Sequence, residues 1–121
     1  MNQLDASVFQ LRVPSRTTLL DLVRLCRSDP TCARLLHFLY DHPTTLMTSP
    51  DIAFHLNVAI KDIDAAIERL LSKGLLRRMV LDGCTFFGLT DEEGALEVVR
   101  QFESWCATVR HRWQSKYAPI L

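Results

Sequence analysis

The sequence predicts a small, mainly α-helical domain of the α+β class that contains one two-stranded β-hairpin. Helix-start signals recur along the chain, most clearly at Asp29-Pro30 and Ser49-Pro50, and apolar residues follow a helical period behind them. The pair Asp82-Gly83 stands between two short β-prone runs, which is typical of a two-residue hairpin turn. With 121 residues, 48% hydrophobic and 23% charged, the chain suits a single globular domain.

Two N-terminal helices are predicted within residues 17–42. The first begins near Thr17 and carries a broad apolar face from Leu19 to Cys26. Asp29 is expected to cap the second helix, with Pro30 at its first position, where no backbone amide is needed.

Residues 43–90 are predicted to form a compact core motif. A short connection, with one or two residues of strand, leads to a helix in which Ser49 is the N-cap and Pro50 the first residue. Asn57 is expected in the turn that follows, because asparagine tolerates left-handed backbone. The next helix, Lys61 to Lys73, has one core-facing stripe: Ile63, Ala66, Ile67, Leu70 and Leu71.

The hairpin, residues 77–89, is followed by a long helix predicted within residues 91–117. Thr90 is expected to be its N-cap and Glu93 the reciprocal capping residue, with the helix running from Asp91 to about Lys116. One side of this helix carries a near-heptad seam, formed by Leu96, Val99, Phe102, Cys106, Val109 and Trp113. Glu97 and Glu103 are assigned to its solvated face, beside several basic residues.

Residues 1–14 alternate apolar and polar side chains. Phe9, Leu11 and Val13 alternate with Gln10 and Arg12, which predicts a short extended arm ending at Pro14. Such an arm can add to a sheet edge, add to a partner, or fray.

Neither a metal site nor an enzyme is predicted, and no cofactor is expected. The four cysteines form no Cys-x-x-Cys pair and are expected to be reduced, small apolar residues. The nearest ligand set, Cys26, Cys32 and His37, does not fall on one helix face. No nucleophile elbow, glycine-rich phosphate loop or His-Glu-x-x-His motif occurs.

The order of elements over residues 33–90 resembles the winged helix-turn-helix. Residues 49–58 look like the first motif helix and its turn, and residues 63–76 resemble the recognition helix with a Leu-x-x-Lys-Gly-Leu exit into the wing. Residues 89–94 are similar to the Leu-Thr-x-x-Gly segment that closes the wing. The flanking helices look most like those of MarR/ArsR-type bacterial transcriptional regulators, although the ArsR-type cysteine metal box has no counterpart.

This resemblance implies DNA binding by a symmetric homodimer, with the recognition helix in the major groove and the wing on the backbone. The residues that it places at DNA are Thr48, Ser49, Ile60, Lys61, Asp64, Ala65, Lys73, Arg77 and Arg78. The charge balance argues against DNA binding. The chain has 14 basic and 14 acidic residues, and Asp62, Asp64 and Glu68 lie on the outward face of the recognition helix. The alternative is therefore a winged-helix module for protein–protein assembly that does not bind DNA.

The terminal helices are expected to make the homodimer. The predicted interface residues are Leu96, Val99, Phe102, Trp105, Val109 and Trp113, with packing of this seam within its own chain as the alternative. A small-molecule effector site between the terminal helices and the core is compatible with the pattern, but no residue identifies a ligand. The absence of a signal-like or membrane-spanning segment predicts a cytoplasmic protein that does not bind membranes.

Overall fold

The computed structural model describes residues 17–117, with side chains described as far as residue 110. The predicted arm, residues 1–14, and the side chain of Trp113 lie outside the described residues. Within them the elements follow in the order α1 (Leu19–Ser28), α2 (Pro30–Asp41), α3 (Ser49–Leu56), α4 (Ile60–Ser72), β1 (Leu76–Leu81), β2 (Cys84–Leu89) and α5 (Glu93–Tyr117). The predicted mainly helical α+β class is confirmed.

The first two helices begin with side-chain caps. The Thr18 hydroxyl accepts a hydrogen bond from the Asp21 amide, and the Asp21 carboxylate accepts one from the Thr18 amide. Asp29 caps α2 by accepting from the amides of Thr31 and Cys32, and Pro30 is the first helical residue, as predicted. These caps satisfy amides that have no partner inside the helix.

Three predicted helix starts are wrong by one or two residues; the first is that of α4, which spans Ile60–Ser72 rather than Lys61 to Lys73. The N-cap of α3 is Thr48, not Ser49, because Thr48 has extended backbone and its hydroxyl accepts from the Asp51 amide at 3.3 Å, while Ser49 is already helical. Helix α5 begins at Glu93 rather than Asp91. The predicted Thr90 capping box is replaced by Glu92, whose carboxylate accepts from the amides of Gly94 (3.3 Å) and Ala95 (2.8 Å).

The tight turns follow the predicted chemistry. Asn57 ends α3 in left-handed backbone (φ 57°, ψ 50°). Asp82 and Gly83 both have positive φ, 49° and 78°, as a type I′ hairpin turn requires.

The hairpin pairs β1 and β2 antiparallel, from Leu76 opposite Leu89 to Leu81 opposite Cys84. Met47 adds the predicted short strand as an isolated bridge to Phe87, with hydrogen bonds of 2.9 and 2.8 Å. This bridge lies on the outer side of β2. Among the described residues, β1 is paired only with β2.

The core lies between α1, α2, α3, α4, the base of the hairpin and the first half of α5. Its fully buried side chains include Leu22, Leu35, Leu36, Leu39, Ile52, Ile63, Leu70, Leu75 and Val99. The predicted face of α1 is broader than the one that is buried, because Leu20 remains 56% exposed. No helix of the described chain is long and apolar enough to span a lipid bilayer.

Candidate nucleic-acid interface

The outer face of α4 is exposed as the sequence predicts. Ile63, Ala66, Ile67 and Leu70 are buried on the inner face, which leaves the opposite face to solvent. The exposed residues are Ile60, Lys61, Asp62, Asp64, Ala65 and Glu68. We call these six residues the recognition face. One cation and three carboxylates occur on it, so its own charge is acidic.

Several cations of the motif are held by other parts of the chain. Arg69 forms an ion pair with Asp29, the cap of α2, rather than joining the charges of the recognition face. Arg77 donates from Nε to the carbonyl of Leu89 at 3.0 Å, across the base of the hairpin. The carbonyl of Lys73 accepts from the Thr17 hydroxyl at 3.0 Å, and the charge of Lys73 helps to lower the pKa of Asp21, after the hydrogen bonds from Thr18.

Lys61 and Arg78 differ from these residues. Both side chains are exposed, and neither forms an ion pair or hydrogen bond with a described residue. Lys61 lies in the first turn of α4, and Arg78 lies on the wing strand β1. They are therefore the predicted phosphate contacts whose charges are most available. The DNA contacts of Lys73 and Arg77 stay predictions, and the structure gives both residues contacts within the chain.

No side chain caps the first turn of α4. Its N-cap is Ala59, which has the extended backbone of a cap (φ −60°, ψ 141°) but no side-chain acceptor. The first amides of a helix are free donors at the positive end of its dipole, and they attract anions. The negative charge of the recognition face is therefore partly compensated at the N-terminal end of α4, where Ile60 and Lys61 begin the helix.

The wing carries apolar side chains toward its tip. Val80 is 62% exposed and Leu81 55%, and Met79 and Cys84 are exposed beside them. Cys84 is a free cysteine and is exposed, because it lies beside the turn at the outer end of the hairpin. Sequence reasoning gave this apolar tip no role.

The seam of α5 divides into two halves. Val99 and Phe102 are enclosed by the chain's own core, and Leu96 and Cys106 pack against that core. Val99 and Phe102 are therefore not free to contact a partner, which is the intrachain alternative that the sequence left open. Further along, Trp105 is 38% and Val109 41% exposed.

Glu103 was assigned to the solvated face of α5, and this prediction is wrong. Its side chain is 8% exposed, and Oε1 lies 2.6 Å from Nδ1 of His37 on α2. The other oxygen, Oε2, is buried without a hydrogen-bond partner in the described structure. The spacing in the sequence is enough to predict this burial, because Val99, Phe102, Glu103 and Cys106 stand at i, i+3, i+4 and i+7 of one helix face.

The described residues contain no cluster of three metal-ligating side chains. Burial raises the pKa of both Cys26 and Cys32 to about 12, so these thiols stay protonated at neutral pH. The thiol of Cys32 points to the carbonyl of Ala66 at 3.9 Å. These two cysteines act as small core residues rather than as nucleophiles or ligands.

Solved structures of MepR from S. aureus are similar to this chain. A MepR mutant bound to an oligodeoxyribonucleotide is 24% identical, with a TM-score of 0.56 over 70% of this chain and 62% of that one. A mutant from a multidrug-resistant clinical isolate is 25% identical, with a TM-score of 0.54 over the same shares. Another MepR mutant is 23% identical, with a TM-score of 0.56 over 77% and 70%.

The match covers only part of MepR, since this chain spans 62% of the length of the DNA-bound protein. No family model and no curated protein matches the sequence. The five helices and the two-stranded antiparallel hairpin of the described residues match a small α+β winged-helix fold like that of MepR. The chain therefore has a winged-helix fold like that of MepR, a MarR-family regulator.

Proposed function

We propose that this chain is a DNA-binding transcriptional regulator that acts as a homodimer. The observation that carries the proposal is the winged-helix fold, shared with a MepR structure that contains an oligodeoxyribonucleotide. In this arrangement α4 enters the major groove through its recognition face, and the wing contacts the backbone. No catalytic role is assigned to any residue.

Lys61 and Arg78 supply the phosphate contacts in this proposal. Both are exposed, and within residues 17–117 neither has an ion pair or hydrogen bond that would have to break for it to reach a phosphate. The uncapped first turn of α4 adds backbone donors beside Lys61. Thr48 and Ser49 lie at the start of α3, where the resemblance places an anchor to the backbone.

The other residues of the recognition face contact the DNA bases in this proposal. Asp64 and Glu68 are exposed one helical turn apart, and a carboxylate accepts a hydrogen bond from the N4 amino group of cytosine. Ile60 and Ala65 offer apolar contact to a thymine methyl group. Carboxylates near phosphates oppose binding, so we expect modest affinity that falls steeply with salt.

The dimer interface is assigned to the distal half of α5. Val109 is exposed there on the seam and Trp105 is exposed next to it, and Trp113 continues the seam in sequence. A large aromatic side chain on an exposed apolar stripe is typical of an interface anchor.

Equilibrium binding to a labelled duplex tests the DNA proposal. We expect binding at about 50 mM salt, and a salt slope smaller by about 4 in the Lys61→Glu/Arg78→Glu double variant, because a homodimer loses two phosphate contacts from each of its two chains. Arg24→Glu is the matched control, since Arg24 is an exposed cation on α1. A double variant that binds like the wild type would contradict the assignment of these two residues.

The second candidate is a protein–protein module without DNA binding. Two observations favour it: the three carboxylates of the recognition face, and the exposed Val80 and Leu81 at the wing tip. Absence of duplex binding at about 50 mM salt by the folded wild type would replace the DNA proposal with this one.

A further inference from the structure

The outer edge of β1 has the features of a strand that lacks a neighbour. In the described structure β1 pairs with β2 on one side only, while β2 is also bridged by Met47 on its outer side. Met79, Val80 and Leu81 are exposed along β1. An open, apolar strand edge is a template for pairing with another extended segment.

The backbone groups available at this edge follow from the hairpin geometry. In a two-residue hairpin the closing pair, Leu81 and Cys84, exchanges hydrogen bonds, and bonded pairs then alternate along the ladder. The amides and carbonyls of Arg78 and Val80 therefore point away from β2. The bridge supports this assignment, because Phe87, the partner of Arg78, directs its own amide and carbonyl outward to Met47.

The start of the described chain lies near the base of β1. The Thr17 hydroxyl donates to the carbonyl of Lys73, and Lys73 precedes the first residue of β1 by three positions. Chain that precedes Thr17 and lies along β1 would run from the wing tip toward the base. This direction is antiparallel to β1, which runs from base to tip.

Residues 8–13 match this edge in length and in pattern. They lie outside the described residues, and six residues of strand span about 20 Å, as the six residues of β1 do. Phe9, Leu11 and Val13 alternate with Gln10 and Arg12, so their apolar side chains share one face of a strand. Pro14 follows, at a strand end where proline is tolerated.

We propose that residues 8–13 pair with the outer edge of β1 and make the wing a three-stranded antiparallel sheet. The register that fits the pattern sets Leu11 opposite Met79 and Phe9 opposite Leu81. Gln10 and Arg12 then exchange hydrogen bonds with Val80 and Arg78. The two arginines are like charges on an exposed face, which opposes this register, whereas the apolar pairs favour it.

Amide hydrogen exchange, measured without DNA, tests the pairing residue by residue. We compare the full chain with a chain that lacks residues 1–14 but keeps Thr17 and Thr18. The expected result is exchange of the Arg78 and Val80 amides that is about tenfold or more slower in the full chain. The Met79 and Leu81 amides, which bond to β2, report whether the hairpin is intact in both chains.

A second comparison uses the full chain alone, in case the shortened chain fails to fold. We expect Phe9→Ser/Leu11→Ser to remove the protection of Arg78 and Val80, and Gln10→Ser, on the other face, to retain it. Equal exchange in all of these chains would overturn the proposal. Protection that disappears on dilution would also overturn it, because the arm would then belong to a second copy.

Discussion

Helices α4 and α5 both carry an apolar stripe, but the stripe of α4 is buried from Ile63 to Leu70 whereas that of α5 is buried only in its first half. Ile63, Ile67 and Leu70 are buried by α2, α3 and the base of the hairpin. On α5 the buried residues end at Glu103, Cys106 is half-buried, and Trp105 and Val109 are exposed. The same periodicity therefore produces a core stripe where neighbouring elements cover it, and an exposed stripe where no other element of the described residues covers it.

The largest expected effect tests this division within α5. Phe102→Ala should lower the free energy of unfolding by about 3–5 kcal/mol, because it empties a buried site. Trp105→Ala is the matched variant one turn further along, and the two rings stack at 6.2 Å. Denaturant unfolding at low micromolar concentration measures both, and equal losses would contradict the division.

The attachment of α5 to α2 gives the next largest effect. His37→Ala removes the only hydrogen-bond partner that the described structure gives to the buried Glu103 carboxylate, so we expect a loss of about 1–3 kcal/mol. In the double variant His37→Ala/Glu103→Leu no buried charge remains, and stability should return toward the wild type. A double variant as unstable as the single one would show that the pair contributes packing rather than charge compensation.

The attachment of α4 to α2 is expected to depend on pH. Burial alone would raise the pKa of Asp29, but hydrogen bonds from Cys32 and the Arg69 guanidinium outweigh it, and the pKa lies below its ordinary value. A lowered native-state pKa contributes stability above the unfolded value of about 3.9, and this stability is lost as the pH falls through the native pKa.

Asp29→Asn keeps the capping oxygen and removes the charge. We expect the wild type to be more stable than this variant at pH 7, and the difference to shrink as the pH falls below about 3.9 and to disappear below the lowered native-state pKa. Urea unfolding across this pH range is the measurement. Asp51→Asn on α3 is the control, and a wild-type advantage that persists in acid would contradict the role of the Asp29 charge.

The smallest effect concerns the uncapped end of α4. Ala59→Ser should stabilise the protein by about 0.5–1 kcal/mol, because Ala59 already has the backbone of a cap. Ala59→Asp should stabilise it similarly but weaken duplex binding, because it puts a negative charge beside Lys61. Thermal unfolding and duplex binding separate the two effects, and equal duplex binding by both variants would contradict the placement of this helix end at DNA.

Local signals in the sequence predicted most of the fold. The Asp29-Pro30 cap, the Asn57 turn and the Asp82-Gly83 hairpin depend on backbone preferences of a few adjacent residues, and all are confirmed. The helix starts at Thr48 and Glu92 were misplaced because several neighbouring residues can each cap a helix, and only the geometry selects one.

The candidate site was less predictable because its charges are set by distant contacts. Arg69 pairs with a residue 40 positions away, and Arg77 bonds across the hairpin, so neither role can be read from neighbouring residues. Glu103 is the exception, because the helical period alone puts it on the buried face of α5, although it is predicted above to be solvated. The charge of the recognition face itself, one cation with three carboxylates, was correctly predicted from the sequence.

Sedimentation of the wild-type chain with a labelled duplex tests the central claim most directly. A duplex of about 30 base pairs at about 50 mM salt is long enough for two half-sites one helical turn apart. We predict a complex whose mass is that of the duplex plus two chains of 13.9 kDa each. A folded chain that sediments as a 13.9 kDa monomer beside free duplex would contradict the claim.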